Sequence, residues 1–491
     1  MPVNFSAGCR QKTNESMQKR NLLKTFLLVW LLPGILPAVA QEVWTLEACV
    51  SHALENNIQI KQQKLGVDIA RENLSQSQAS RFPNFNASAS HGYNFGRTID
   101  PFTNEFATET VQFNNFSMSS GVTLFSGFQI HNSVQQRGFE LEASRYDVEA
   151  TQNDISLAVA SAYLQILFRM ELLDMALNQY GITQQQVNRT AQLVEAGTQP
   201  RGSLFTVQAQ LAGEELQVVN ATNQLDIAYL DLAQLLNLED PAGFRIAIPD
   251  IAIDPGDDLE YSPLQVYNAA VRTQPQVRAT EFRVASAEKG LAVARGGRSP
   301  MLSLRGSYGS GFSGASREVT DIIAGEPQEI GRTATGVPVF APSFEYETRI
   351  KPFQDQLSDN LNRSIGLSLT IPVFNNYQTK TAIGRSRIAL ENARLSQQLV
   401  REQLFKTIQL AHADAQAALK RYLASEKNVD ALEESFRYTE QRFNVGMVNV
   451  LEYNDAKNRL TAAQSEMLQS KYEYVFRTKI LEFYTGLPIT L

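Results

Sequence analysis

Cysteine is nearly missing from this chain, with two in 491 residues, and only Cys49 lies beyond the first forty. One thiol cannot form an internal disulfide, so the mature chain must be held by packing and assembly. Histidine is as sparse: His52, His91, His131 and His412 are scattered, and no two have metal-ligand spacing. Cys49 and His52 share one face of a short helix, where they read as packing residues rather than a thiol–imidazole pair. No convergent set of titratable groups is present, so neither catalysis nor a metal or cofactor is expected. Residues 309–314 resemble a phosphate loop only in glycine content, and a strand running into a loop explains them better. Beyond residue 40 no apolar run approaches eighteen residues, which leaves no helical membrane span.

Proline is absent from two stretches of about seventy residues, 127–198 and 376–447, which are too long for ordinary globular helices. In the second, Leu404, Ile408, Ala411, Ala415, Ala418, Tyr422, Ser425, Val429, Leu432, Phe436, Thr439 and Phe443 keep strict 4-3 spacing, the mark of a coiled-coil seam. Subtracting 249 from each number gives Ile155, Val159, Ala162, Ile166, Arg169, Leu173, Ala176, Tyr180, Thr183, Val187, Thr190 and Val194, the same seam again. The chain holds one long helix twice. At a rise of about 1.5 Å per residue each copy reaches about 100 Å, and neither is apolar enough to lie in lipid.

Before the helices comes an export signal. Lys19, Arg20 and Lys24 precede an apolar run at 26–36, and Ala38-Val39-Ala40 offers a small-residue cleavage site before Gln41. Met17 suits the true start, and Cys9 lacks the preceding apolar segment that lipid attachment needs. Cleavage leaves 39 Lys/Arg against 50 Asp/Glu, a net charge of −11, so nucleic acid is not an expected partner.

The duplication sets the expected domains: signal peptide 1–40, first repeat 41–240, linker or equatorial region 241–262 and second repeat 263–491. Each repeat begins with a shorter amphipathic helix, from Trp44 to about Arg81 in the first copy. Early correspondences such as Pro83 with Pro300 differ by 217, and later ones such as Phe125 with Phe374 differ by 249. One loop, 94–115 in the first half and 311–364 in the second, therefore absorbs all 32 extra residues.

Strands flank that loop. Phe85, Ala87, Ala89, His91, Tyr93 and Phe95 alternate with small or polar residues, as do Phe116, Met118, Val122 and Leu124. Leu302, Leu304, Tyr308 and Phe312 do the same, followed by Ile365, Leu367, Leu369, Ile371 and Val373. Four strands of about ten to twelve residues, apolar on one face and polar on the other, match a transmembrane β-barrel. Four cannot close a barrel, so the chain must oligomerise, to eight strands as a dimer or twelve as a trimer.

The signal, the duplication, the hairpin set between a short helix and a very long one, and a glycine near the end of each long helix together resemble the TolC-type outer-membrane efflux protein family. Residues 44–57 look like that family's N-terminal helix. Phe443-Asn444-Val445-Gly446 with Leu451-Glu452-Tyr453-Asn454-Asp455-Ala456 looks like its second helical turn. The resemblance implies a membrane α+β homotrimer: a twelve-stranded barrel in the outer membrane continuing into a periplasmic helical tube. It implies a passive conduit for efflux or type I secretion, opened by a periplasmic adaptor and an inner-membrane pump. It also assigns Gly197 and Gly446 to the helical turns, and Glu452 and Asp455 to a pore constriction. Phe443 stands where the family often has a gate tyrosine, and Val448 replaces a basic residue that can latch the helices. The alternative from the residues alone is an exported structural coiled-coil protein without a pore.

Overall fold

The computed structural model describes residues 43–100, 102–108, 110–239, 243–249 and 262–490. The expected signal segment and most of the expected linker lie outside the described residues. The first repeat runs β1 (Val43–Trp44), α1 (Leu46–Asn56), α2 (Ile58–Ala79), β2 (Asn84–Asn94), β3 (Thr98–Ile99), β4 (Phe106–Ala107), β5 (Val111–Phe125), α3 (Gln129–Glu195), α4 (Arg201–Leu236) and β6 (Arg245–Ile246). The second has α5 (Pro263–Thr273), α6 (Pro275–Gly296), β7 (Met301–Ser313), β8 (Arg317–Ala324), β9 (Gln328–Arg332), β10 (Pro338–Ala341), β11 (Phe344–Ile350), α7 (Phe353–Asp359), β12 (Asn362–Thr370), α8 (Gln378–Asn444) and α9 (Val450–Thr485). Both members of each main helix pair have the same length, 11, 22, 67 and 36 residues in turn.

The first amphipathic helix does not run unbroken from Trp44 to Arg81. Asn57 interrupts it with ψ 132°, and its side-chain oxygen accepts the backbone N–H groups of Gln59 and Ile60, which caps the next helix. Gln274 breaks the second copy at the matching place with ψ 123° but without a side-chain cap, just before Pro275, a residue that favours a helix start and disfavours a helical residue before it.

The long helices pack through the expected seam. Leu404, Ile408, Ala411, Ala415, Ala418 and Val429 are buried, as are Ile155, Val159 and Ile166. The largest core cluster joins Ile155, Tyr163 and Leu167 of α3 to Leu232 and Leu236 of α4, to Leu46 and Cys49 of α1, and to Tyr472 of α9. Burying each large aliphatic side chain contributes about 1.5–3 kcal/mol. One correction concerns α3. Its most apolar window has a mean hydropathy of 1.3, sufficient by length and composition to cross a bilayer. Its apolar residues instead fill the core, where Val159, Ala160, Leu164 and Ile166 are buried.

β2, β5, β7 and β12 form one antiparallel sheet in the order β12-β7-β5-β2. The two expected hairpins therefore pair with each other through β5 and β7. A register shift between Thr123 and Phe125 puts Phe125, rather than Leu124, opposite Leu302. Ile371 and Val373 lie just past the end of β12.

The two loops are structured. The shorter holds the β3–β4 hairpin and turns onto the sheet. Asp100 is buried and accepts a hydrogen bond from the Ser313 hydroxyl, and the Phe102 ring covers Gly311, where a side chain would collide with it. The longer contains the β8–β11 ladder, the β9–β10 ladder and α7, so its extra residues build an arm rather than a slack connection.

Candidate functional site

Sheet register aligns the side chains of each face into rows. Val122, Leu304 and Leu367 stand side by side on β5, β7 and β12, and Ala87, Met118 and Tyr308 do so on β2, β5 and β7. On the opposite face Asn86, Ser119, Ser307 and Ser364 form one row across all four strands. Ser88 and Ser117, and likewise Ser307 and Ser364, join hydroxyls at 2.7 Å. The polar face carries one charge, Arg305, which stands between Gly121 and Gly366 on the neighbouring strands. Most of the apolar face is bare among the described residues: Ile365 is 80% exposed and Leu367 66%.

Aromatic side chains border the apolar face at both ends. At the helix end, Phe82, Phe85, Phe125, Phe128, Phe374 and Tyr377 are exposed. Phe128 and Tyr377 are equivalent positions of the two repeats, and both adopt left-handed backbone, φ 60° and 61°. Each meets the aromatic three residues earlier edge-on at 5.9 Å. A non-glycine residue in this conformation is uncommon, and it recurs where strand passes into helix. At the loop end are Tyr93, Phe95, Tyr308 and Phe116, with Phe353 of α7 against Phe116 and Phe312. Two aromatic girdles around an apolar band mark a strand surface that crosses a bilayer.

At the far end of the bundle lie the two turns, with Phe443, Glu452 and Asp455 in or beside the second. Gly197 and Gly446 adopt φ 73° and 77°, a conformation that favours glycine, just after the two long helices end. Arg189 donates to Asn444 Oδ1 at 2.6 Å and ties one turn to the other. Phe443 is not free: its ring stacks on Tyr453 at 4.7 Å and 28°. Glu452 sits in the first turn of α9, where the helix dipole favours an acid, and its N–H is capped by Asn449. Arg442 lies 3.4 Å from Glu452, and Arg459 lies 2.9 Å from Asp455. Both carboxylates are half-exposed or more, so within one chain each is a solvated, singly paired acid. Val448 lies in the turn, and Val445, Met447 and Leu451 around it are exposed, each above 70%.

A second polar group escaped the sequence reading. Lys457, one helical turn after Tyr453, is 3% exposed and faces Glu214 of α4, 6% exposed. Its Nζ donates to Glu214 Oε1 at 3.2 Å, to Thr183 Oγ1 at 2.5 Å and to the Gln179 carbonyl at 3.4 Å. Burial holds the ammonium below the usual lysine range, while the carboxylate beside it pulls the other way. Among the described residues Glu214 Oε2 has no hydrogen-bond partner. The cluster joins α3, α4 and α9, and so links the two helical hairpins through their interior.

Cys49 and His52 belong to no reactive pair. Cys49 is fully buried, with its thiol pushed up to about 12 by burial. The His52 ring packs edge-on to Trp44 and contacts the Asn56 amide.

A sequence profile of the family described as outer membrane efflux protein matches residues 49–238 and 266–487. The outer membrane efflux protein BepC of Brucella suis is 22% identical over 445 residues, 90% of this chain and 85% of that protein. The outer membrane protein TolC of Vibrio cholerae is also 22% identical, over 91% of this chain and 92% of its own. The crystal structure of the Campylobacter jejuni CmeC outer membrane channel has a TM-score of 0.69 at 16% identity, covering 100% of this chain and 94% of that one.

Proposed function

Because this chain belongs to the outer membrane efflux protein family, we propose that three copies form the exit channel of a tripartite efflux or type I secretion system. Outer-membrane location and a role in efflux come with the family. The reading of three copies is supported by strand arithmetic together with the family resemblance. Strand directions alternate across β12-β7-β5-β2, so β12 of one copy meets β2 of the next antiparallel, and three copies close a ring of twelve. The apolar faces then turn to lipid. The serine and asparagine rows, with Arg305, line the lumen.

The observation that carries this reading is the two-faced sheet with bare edges, set on helices about 100 Å long. At the far end, threefold symmetry gathers Glu452 and Asp455 into two rings of three, the proposed constriction, with Phe443 and Tyr453 packed behind them. Like charges crowded in a ring attract cations. The exposed Val445, Met447 and Leu451 offer an adaptor a surface to cover. The energy for transport comes from an inner-membrane pump, since a pore of this kind is passive.

The test is the purified mature protein in detergent. A mass equal to three chains after subtraction of the micelle, and discrete conductance steps in a planar bilayer, are expected. A soluble species that needs no detergent and gives no conductance would be the structural rod instead, and would end this proposal.

A further inference from the structure

The four segments that join helix to strand have a charge pattern unlike the rest of the chain. Residues 73–83, 126–137, 289–300 and 375–388 together hold eight Lys/Arg and no Asp/Glu. The whole sequence has 44 basic residues against 51 acidic ones, so acids are selectively missing here. Among the described residues, Arg137 alone of the eight has an acidic partner, Glu140 at 2.6 Å. Arg81, Arg295, Arg298, Lys380, Arg385 and Arg387 are exposed and have no ion pair among the described residues.

Their height follows from the helices. These segments end at the aromatic girdle of Phe82, Phe128 and Tyr377. Lys380 keeps its Nζ 4.8 Å above the Tyr377 ring. At about 1.5 Å per residue, Lys380 lies about 5 Å beyond the girdle and Arg387 about 15 Å. The headgroup layer of one leaflet extends about 5–7 Å beyond the hydrocarbon. Arg81, Arg298 and Lys380 are therefore at headgroup depth. Arg295, Arg385 and Arg387 lie within about one Debye length, ~10 Å, of it.

Building on the channel reading, we propose that these residues form a basic collar that binds the phosphates of anionic phospholipids in the leaflet facing the helices. Charges spread around four helix ends, with no enclosed pocket, suit an annulus of lipid headgroups better than one bound ion. Long basic side chains beneath an aromatic belt also let their stems lie on the apolar rim while the charges reach the phosphates. The collar fixes the depth of the sheet in the membrane from the helix side.

The experiment is native mass spectrometry of the detergent-solubilised full-length mature protein, titrated with phosphatidylglycerol or phosphatidylethanolamine. Phosphatidylglycerol is expected to be retained at least about fivefold more, with the preference lost in high salt. R81Q/R298Q/K380Q/R385Q should bring the two lipids level, while K406Q/K420Q on exposed tube positions leaves the preference intact. R298Q and K380Q alone give the graded form of the test if the fourfold variant does not assemble. Equal retention of both lipids by the parent, or a preference that survives loss of the collar charges, overturns the proposal. Capture of an acidic protein with no lipid preference overturns it too. Conductance of the parent is recorded in parallel: its absence sinks the channel reading itself, whereas a conducting parent indifferent to lipid charge sinks only the collar.

Discussion

Among single residues, Lys457 has the most at stake. Replacing it with Met would leave the Glu214 carboxylate buried without its counter-ion, which costs about 3–5 kcal/mol. The K457M variant should therefore unfold at markedly lower denaturant, followed by circular dichroism. Adding E214L should recover most of the loss, because two apolar groups of similar size need no partners. If K457M is as stable as the parent, the pair is not a structural tie. This residue was invisible in the sequence because its partner is 243 positions away. A lysine two places after Asp455 also reads as one more solvated charge on a helix. Gly197 and Gly446 are legible for the opposite reason: each stands at the same repeat position, two residues past the end of its long helix, where a positive φ favours glycine. The αL conformation of Phe128 and Tyr377 carried no such signal, since nothing in an aromatic residue announces a positive φ.

Among the elements, the strands were read best. Period-two alternation needs only neighbouring residues, and along the four strands it put the apolar side chains on one face as far as the register shift at Leu124. The same alternation yields a sharp test. Leu367 and Ser368 are adjacent on β12 and both exposed in the single chain, yet in the proposed barrel one faces lipid and the other the lumen. L367K should destabilise the assembled barrel by about 2–4 kcal/mol, with loss of heat-resistant oligomer on gels. S368K should leave assembly intact. Equal effects of the two would remove the membrane assignment of the sheet. Elements set by local capping were harder to read. The break at Asn57 depends on a side-chain oxygen turning back to the backbone, which the apolar pattern passes straight over. The arm built from β8 to β11 is not legible as strands, because its polar and glycine-rich composition hides two ladders.

For the whole molecule, the offset of 249 between the long helices made the duplication legible, and the single step from 217 located the arm. Copy number was not: four strands demand company, but only the family resemblance favours three. The candidate gate is also a property of the assembly, since one chain shows Glu452 and Asp455 as ordinary paired acids. With both rings formed, E452Q/D455N should weaken block by multivalent cations by roughly tenfold in single-channel recordings. Unchanged block would take these residues out of the pore. Finally, the outermost strands, Asn84–Asn94 and Asn362–Thr370, each pair along one side alone. A newly exported copy thus travels as an unfinished object, with a greasy flank and two rows of hungry amides and carbonyls. Its hazard lies in transit, and lasts until its siblings cover those rims.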